Sequence, residues 1–510
     1  MPDQRAVIIG AGVGALAAAI DLAGQGLAVT VVERAAGPGG KLRGVEVGGQ
    51  LLDAGPTVFT LRAVFDELFA DAGTSLDAHL TIKPLAMLAR HAWDDGSRLD
   101  LFAGRQRSAQ AISEFAGATE AKGFLEFCAR AQSIFETLDT NFMRAQRPDP
   151  IRLAMAVAPD GMGRLWGISP FTTLWQALGR HFRDPRLRQL FARYATYCGS
   201  SPFAAPATLM LVAHAEQMGV WTINGGMFRL AQVMAQLAAA RGVTFRYDTE
   251  VAQVSASYGR ATGIRLATGE TIVADAVICN TDTAALSSGL LGTRAAPATP
   301  KLAAKARSLS AITWRMNARP QGFPLHRHNV FFSQDYAAEF TDLSVRGQVP
   351  ADPTVYVCAQ DRADGALTPD RPERLLCLIN APPNGDCRSY ELSEIERCNE
   401  RMFRRLAKSG LQLHPVSTTI ATPVDFHRLY PGTGGALYGR ASHGWMASFQ
   451  RPAARSKLPG LYLAGGSTHP GPGVPMAAMS GRLAAQCVIA DLASTSRSRT
   501  TATLGGMSTR

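Results

Sequence analysis

Residues 7–41 read VIIGAGVGALAAAIDLAGQGLAVTVVERAAGPGGK, and this stretch decides how the fold begins. The apolar run Val7 to Ile9 predicts a strand, which breaks into the turn Gly10-Ala11-Gly12-Val13-Gly14-Ala15 and then an alanine-rich helix. A second apolar strand, Leu27 to Val32, ends in Glu33. A strand, a glycine turn, a helix and a strand that ends in an acid form a βαβ unit of the type that binds a dinucleotide.

The residues of the turn have separate physical roles in this prediction. Gly10 allows the tight turn, and Gly12 lets the backbone approach a pyrophosphate. The helix that follows offers its free N–H groups and its positive dipole end to that anion. Ala15 takes the third glycine position, where a small residue permits close packing of helix on strand. Glu33 is placed to accept hydrogen bonds from ribose hydroxyls.

A second glycine pattern follows Glu33 directly. Arg34 is followed by Gly39-Gly40-Lys41. This E-R-x(4)-G-G-[RK] pattern resembles the second signature of the large FAD-binding oxidoreductases, in which the glycine pair lets the backbone approach the flavin nucleotide. The resemblance implies FAD rather than NAD as the cofactor.

Bulk properties exclude several classes of protein. A chain of 510 residues with 46% hydrophobic and 18% charged residues predicts a globular protein of two or three subdomains. The longest apolar run, residues 203–213, is shorter than the ~20 residues of a membrane-spanning helix. We expect no signal peptide, because Asp21 interrupts the apolar N-terminus. The eight cysteines include no C-x-x-C pair, so we expect neither disulfides nor a metal site.

The formal net charge of +11 predicts an anionic partner. Nucleic acid is disfavoured, because no nucleic-acid-binding motif accompanies the charge. Residues 180–193, RHFRDPRLRQLFAR, mix five arginines with phenylalanine and leucine. Such a basic amphipathic stretch predicts docking on an anionic membrane surface. The alternative is a solvated helix with one face in the core.

The nucleotide-binding segments are separated along the chain. A strand, a glycine-rich turn and a helix recur near the far end, at residues 460–492. We therefore predict a discontinuous FAD-binding domain with a substrate and membrane-facing domain inserted into it. The tail lacks apolar periodicity, which predicts disorder. The predicted boundaries are 1–80, 210–290 and 430–493 for the FAD-binding domain, 81–209 and 291–429 for the substrate domain, and 494–510 for the tail.

Further motifs are spread over nearly the whole chain. They are Asp53-Ala-Gly-Pro-Thr57, Phe182-Arg-Asp-Pro-Arg-Leu187, Gly199-x-Ser201-Pro202, Asn224-Gly-Gly-Met227, Ala276-Val-Ile-Cys-Asn-Thr-Asp282, Phe331-Phe-Ser-Gln-Asp-Tyr336 and Gly466-Ser-Thr-His-Pro-Gly-Pro-Gly-Val-Pro475. Together with the opening turn they resemble the carotenoid desaturases of the bacterial phytoene desaturase type. Within that family, the segment from Gly434 to Trp445 looks most like the 1-hydroxycarotenoid 3,4-desaturases (hydroxyneurosporene or methoxyneurosporene desaturases).

This resemblance implies an α/β fold. It comprises a Rossmann-like FAD-binding domain of the glutathione reductase/amine oxidase type, an inserted α+β substrate domain and a helical membrane-facing segment. It also implies a peripheral protein on the cytoplasmic side of the membrane. Lys41 and Ala15 are variants that the family pattern tolerates. The cofactor positions that carry over are Gly10, Gly12, Gly14, Ala15, Glu33, Arg34, Gly40, Lys41, Gly55, Pro56, Thr57, Val251, Gly466, Val474, Pro475 and Met476.

The reaction that the resemblance implies is the introduction of a C3–C4 double bond into an acyclic 1-hydroxycarotenoid. Hydride loss from C4 to flavin leaves a cation spread over the polyene, and proton loss from C3 completes the bond. No motif fixes a base. Asp149 and His181 are weak candidates because both lie in the helical substrate segment, although an ordinary turn or capping role is the favoured interpretation of each. No second dinucleotide motif is present, so oxygen or a membrane quinone is the expected electron acceptor.

Other functions remain open at this stage. Within flavoenzymes these are phytoene desaturation or another desaturation step, carotene isomerisation and amine oxidation. The phenylalanine, leucine and methionine runs of the substrate segments favour an apolar substrate over an amine. A different class is a non-catalytic lipid-escort protein on the same fold without flavin, which the complete dinucleotide motif argues against.

Overall fold

The computed structural model describes residues 4–147, 149–150, 171–363 and 371–504, with side chains up to residue 494. The described strands are β1 (Arg5–Ile9), β2 (Ala28–Val32), β3 (Gly44–Val47), β4 (Gln50–Asp53), β5 (Ile82–Pro84), β6 (Met87–Ala92), β7 (Arg98–Phe102), β8 (Trp221–Ile223), β9 (Thr244–Arg246), β10 (Val251–Ser257), β11 (Arg260–Leu266), β12 (Thr271–Val273), β13 (Ala276–Cys279), β14 (Ser310–Gln321), β15 (His328–Phe331), β16 (Val355–Ala359), β17 (Glu373–Ala381), β18 (Gln412–Ala421) and β19 (Leu461–Leu463).

The described α-helices lie between these strands. They are α1 (Val13–Gly24), α2 (Ala63–Asp71), α3 (Leu76–His79), α4 (Arg105–Ala116), α5 (Ala118–Leu138), α6 (Leu174–Leu178), α7 (Pro185–Ala192), α8 (Leu211–Gln217), α9 (Phe228–Ala240), α10 (Thr283–Ser287), α11 (Tyr336–Thr341), α12 (Leu392–Lys408), α13 (Pro423–Leu429) and α14 (Val474–Leu504). The predicted βαβ unit is confirmed as β1, α1 and β2.

The five-stranded parallel sheet has the order β19-β13-β1-β2-β9. Its strands all come from within the three segments predicted to form the FAD-binding domain. Alternate residues of β1 enter different cores: Ala6 and Ile8 pack on the side of α1, whereas Val7 and Ile9 pack against β10–β12. Both faces of the sheet are therefore covered, which is why the inner strands β1, β2 and β13 are mostly apolar.

Helix α1 packs closely against α14. A Cβ atom added to Gly481 of α14 would lie 1.9 Å from the carbonyl oxygen of Gly14. This contact brings the two glycine-rich turns, one at each end of the sequence, to the same edge of the sheet. Helix α14 continues to Leu504, into the segment 494–510 for which the sequence predicted disorder. No glycine or proline occurs between Gly481 and Gly505, so this stretch contains no strong stop signal for a helix.

The second lobe is built on a seven-stranded mixed sheet with the order β18-β14-β17-β16-β15-β6-β7. On one face, Trp314, Met316 and Cys377 pack against α12 in a separate core. On the other face, Thr313, Leu376 and Leu378 form one wall of a large cavity. Because side chains alternate along a strand, the same two strands, β14 and β17, serve both the core and the cavity.

Two general findings apply to the described ranges. Within them, no helix is long and apolar enough to cross a bilayer. All eight cysteines fall in these ranges, and none forms a disulfide.

Candidate functional site

A cavity of about 810 Å³ lies between the parallel sheet and the second lobe. It is lined by the β1–α1 turn, the segment after β2, and the start of α14. Its remaining walls are mostly apolar side chains from α5, from α8 and the region before it, and from the second sheet. Examples from these walls are Phe135, Leu138, Leu209, Val212 and Leu376.

The structure brings the predicted cofactor residues together. Ala15 does not line the cavity, because it is fully buried inside α1. The other predicted positions all line it: Gly10, Gly12, Gly14, Glu33, Arg34, Gly40, Lys41, Gly55, Pro56, Thr57, Val251, Gly466, Val474, Pro475 and Met476. Their direct contact with the cofactor remains a prediction.

The glycine turn fits a pyrophosphate. Gly10 has a φ of +90°, and its N–H donates to the carbonyl oxygen of Val32 at 2.7 Å. A Cβ atom on Gly12 would lie 2.6 Å from Oδ1 of Asn280, so a larger residue there would require the Asn280 side chain to move. Helix α1 has no side-chain cap and no acid in its first turn. Its first N–H groups therefore face the cavity without a competing anion.

The carboxylate of Glu33 is held in place by the backbone. Its Oε2 accepts from the N–H of Ala11 at 2.7 Å, and its Oε1 accepts from the N–H of Ala35 at 2.8 Å. A carboxylate has about four lone-pair sites, so Glu33 retains capacity for ribose hydroxyls. Arg34, in contrast, is exposed and donates to the carbonyl oxygens of Arg428 and Leu429.

The side chain of Lys41 places a positive charge at the wall of the cavity. Its Nζ donates to the carbonyl oxygen of Leu437 at 2.6 Å and lies 3.9 Å from Oδ2 of Asp282. Nζ also lies 5.1 Å from the ring centroid of Tyr430. Burial lowers the pKa of Lys41, and the charge of Asp282 opposes that shift.

Arg451 is a second buried cation, which sequence reasoning missed. Its guanidinium donates to the carbonyl oxygens of Tyr438 and Gly466, at 3.0 and 3.3 Å, and to that of Arg440. Burial lowers the pKa of Arg451 to about 10. No local pattern marks this residue. Asn280 and Asp282 were also missed as site residues, although their position after a strand of the parallel sheet was a usable signal.

The segment Asp53–Thr57 is fixed by contacts across the molecule. The Asp53 carboxylate accepts from the N–H groups of Met227 and Phe228, at 2.7 and 2.9 Å, at the start of α9. Gln360 of the second lobe pairs with the backbone of Asp53 through two hydrogen bonds of 2.9 Å. A Cβ atom on Gly55 would lie 1.9 Å from the carbonyl oxygen of Lys41. The motifs Asp53–Thr57 and Asn224–Met227, which are distant in sequence, are thus fixed to each other beside the cavity.

Neither candidate base lines the cavity. His181 packs beside Phe127 and Phe182, with ring centroids 6.0 and 6.3 Å apart, and burial lowers its pKa. Asp149 is half-buried, and its neighbours in the sequence, residues 148 and 151–170, lie outside the described ranges. The position of Asp149 and His181 in one helical segment of the sequence did not determine which way either side chain faces. Within the described ranges, no group of three or more acidic, cysteine or histidine side chains could hold a metal.

The basic stretch 180–193 is not one continuous surface. Arg180 and Arg183 are exposed, but Arg193 is buried. Arg186 pairs with Asp184 at 2.8 Å and with Asp95 at 3.4 Å. Arg193, one of the five arginines of the stretch predicted to dock on a membrane, is therefore unavailable for that contact, and the docking itself stays a prediction. The chain turns after α7, and this turn carries Arg193 into the interior.

The parallel sheet, the uncapped glycine turn, the fixed Glu33 and the apolar cavity define a dinucleotide-dependent oxidoreductase. The flavin-containing amine oxidoreductase pattern matches residues 16–489. The chain is 54% identical to hydroxyneurosporene desaturase from Rubrivivax gelatinosus, covering 99% of this chain and 97% of that protein. It is 30% identical to 1-hydroxycarotenoid 3,4-desaturase from a Flavobacterium species, covering 95% and 99%.

A crystal structure of an oxidoreductase from Methanosarcina mazei superposes with a TM-score of 0.60 at 17% identity, covering 94% of this chain and 99% of that one. At this identity the likeness bears on the fold alone. The chain belongs to the flavin-containing amine oxidoreductase family. It is an oxidoreductase whose cofactor is FAD, and both the predicted likeness to the carotenoid desaturases and the predicted α/β fold of the amine oxidase type are confirmed. The membrane-facing segment stays a prediction.

Proposed function

We propose that this enzyme oxidises the C3–C4 bond of an acyclic 1-hydroxycarotenoid and adds one conjugated double bond. The observation that carries the proposal is the cavity of about 810 Å³, which joins the nucleotide-binding turn to mostly apolar walls. An extended hydrocarbon suits such walls, whereas a charged amine would lose its hydration there. The names of the two relatives, a hydroxyneurosporene desaturase and a 1-hydroxycarotenoid 3,4-desaturase, support the choice of substrate.

The residues of the cavity have distinct tasks in this reaction. FAD, when bound, supplies the two-electron acceptor. The Gly10–Gly14 turn would hold its pyrophosphate and Glu33 its ribose. The apolar walls exclude water from the positive charge that develops on the polyene. That charge also acidifies the C3 proton, so a strong dedicated base is unnecessary. Oxygen or a quinone would reoxidise the enzyme.

We further propose that the protein docks peripherally on the cytoplasmic side of an anionic membrane, where its substrate dissolves. Phe171 and Trp445 are 75% and 45% exposed, and their rings contact each other with centroids 5.3 Å apart. Trp445 also lines the cavity, so this aromatic pair lies at its mouth. Exposed Arg180 and Arg183 add positive charge to the substrate domain. The boundaries predicted from the sequence for the FAD-binding domain, the substrate domain and the tail are likewise a proposal.

The test is to incubate the purified flavoprotein with single carotenoids in liposomes and to analyse the products by HPLC and mass spectrometry. We expect 1-hydroxyneurosporene and 1-hydroxylycopene to lose two hydrogen atoms and to absorb at longer wavelength. Phytoene should remain unchanged, because its short triene stabilises the developing cation less well. Conversion of phytoene without action on the hydroxylated compounds would overturn the choice of substrate.

A further inference from the structure

Six polar side chains form a cluster at the mostly apolar walls of the cavity. We call it the polar cluster, and its members are Thr57, Arg193, Tyr197, Glu216, His328 and Tyr356. All except His328 line the main cavity. His328 lines a side pocket of about 10 Å³ together with Arg193, Tyr197, Glu216 and Tyr356. Such a volume holds about one water-sized group.

The polar cluster contains two hydrogen-bonded chains. In the first, Arg193 Nη1 donates to the Tyr197 hydroxyl, which donates to Glu216 Oε1 at 3.3 Å. Arg193 Nη2 lies 3.7 Å from the same carboxylate oxygen. In the second, the Tyr356 hydroxyl is hydrogen-bonded to Thr57 Oγ1 and to His328 Nδ1, both at 2.7 Å.

Several buried nitrogen atoms of the polar cluster make no hydrogen bond. Within the described ranges, Arg193 Nε, Arg193 Nη2 and His328 Nε2 make no hydrogen bond, although both residues are only 4% exposed. Burial lowers the pKa of His328, and the neighbouring Arg327 and Arg193 lower it further. Buried polar groups are rarely left unpaired in folded proteins, because each one costs desolvation energy. These unpaired atoms therefore point to a ligand.

We propose that the polar cluster binds the C1 hydroxyl of the substrate, with Arg193 and Tyr197 contacting its oxygen, and that it thereby selects hydroxylated over unhydroxylated carotenoids. The inference rests on the proposed function. A hydroxyl both donates and accepts, which suits the unpaired Arg193 donors and the Glu216 carboxylate.

The position of the polar cluster also fits this role. The C1 hydroxyl is close along the chain to C3 and C4, so its binding group must lie near the cofactor. Thr57 belongs both to the polar cluster and to the predicted cofactor residues. A carotenoid whose end carries no hydroxyl would leave the buried polar groups of the cluster unpaired. A site that forms hydrogen bonds to a substrate hydroxyl discriminates strongly against the analogue that lacks it.

Two tyrosines provide a matched test. Tyr194 and Tyr197 both donate to Glu216, but Tyr194 does not line the cavity. We expect Tyr197→Phe to lower kcat/KM for 1-hydroxyneurosporene about tenfold, the loss for a hydrogen bond worth roughly 1.4 kcal/mol. The Ki of neurosporene as a competitor should stay within about twofold, because that competitor has no hydroxyl to lose. Tyr194→Phe should leave both quantities within about twofold of wild type, since it keeps every cavity-lining donor.

Arg193→Lys provides a second variant that keeps a positive charge opposite Glu216 but removes the Nε donor. It should reproduce the selective loss, with FAD absorbance reporting that the protein is folded. Equal losses in Tyr194→Phe and Tyr197→Phe, or no change in Tyr197→Phe, would overturn the inference and leave the proposed function standing. A wild-type enzyme that does not oxidise 1-hydroxyneurosporene would overturn the proposed function, and the inference with it.

Discussion

At the scale of single residues, Glu33 has the most defined geometry among the predicted cofactor positions. Two backbone N–H groups orient its carboxylate before any ligand arrives. We expect Glu33→Ala to weaken FAD binding by about 1.5–3 kcal/mol, the range for a hydrogen bond to a charged group. Fluorescence titration of flavin-free protein measures this change. Glu46→Ala, on an exposed strand position away from the cavity, is the control. Unchanged affinity in Glu33→Ala would show that the carboxylate does not contact the ribose.

At the scale of elements, the packing of α1 on α14 depends on Gly481. Alanine in place of glycine inside a helix ordinarily stabilises by up to about 1 kcal/mol. Here the added methyl would lie 1.9 Å from the Gly14 carbonyl oxygen. We therefore expect Gly481→Ala to lower the free energy of unfolding by about 1–3 kcal/mol, the usual range for overpacking.

Denaturant unfolding of the holoenzyme measures this effect. Gly37→Ala is the matched control, because a Cβ atom there meets no other atom within 4 Å. A Gly481→Ala variant as stable as wild type would show that the helices can separate without loss. Since Gly14 belongs to the turn predicted to bind the pyrophosphate, we also expect weaker FAD retention in that variant.

At the scale of the whole molecule, the aromatic pair at the cavity mouth and the net charge of +11 determine the expected membrane association. Phe171→Asp with Trp445→Asp should move the protein from sedimented liposomes to the supernatant. Tyr258→Asp, which alters an aromatic residue at a distant hairpin turn, should not.

The electrostatic part of docking is tested separately. Arg180→Glu with Arg183→Glu should weaken binding to anionic liposomes by about 1 kcal/mol per arginine, and more at low salt. These two are the suitable residues, because Arg193 is buried and Arg186 is already paired. Equal sedimentation of the wild type with neutral and anionic liposomes would contradict an electrostatic contribution.

The sequence by itself determined the features that depend on neighbours along the chain. Strand β1, helix α1 and strand β2 follow from apolar periodicity and a glycine turn, and Glu33 follows from its place at a strand end. The resemblance carried by separated motifs added the flavin cofactor and the carotenoid desaturase relatives, both confirmed.

Only the tertiary structure decided which side chains face the cavity. Gly12 approaches Asn280, and Arg451 reaches the carbonyl of Gly466, through contacts that no local pattern encodes. The sequence indicated that Arg193 is a surface residue of a basic stretch, yet it is buried in the polar cluster. His181 packs against aromatic side chains of the core and does not line the cavity. The physical reason is that periodicity indicates that a face is buried but not what it is buried against, which depends on how distant elements pack.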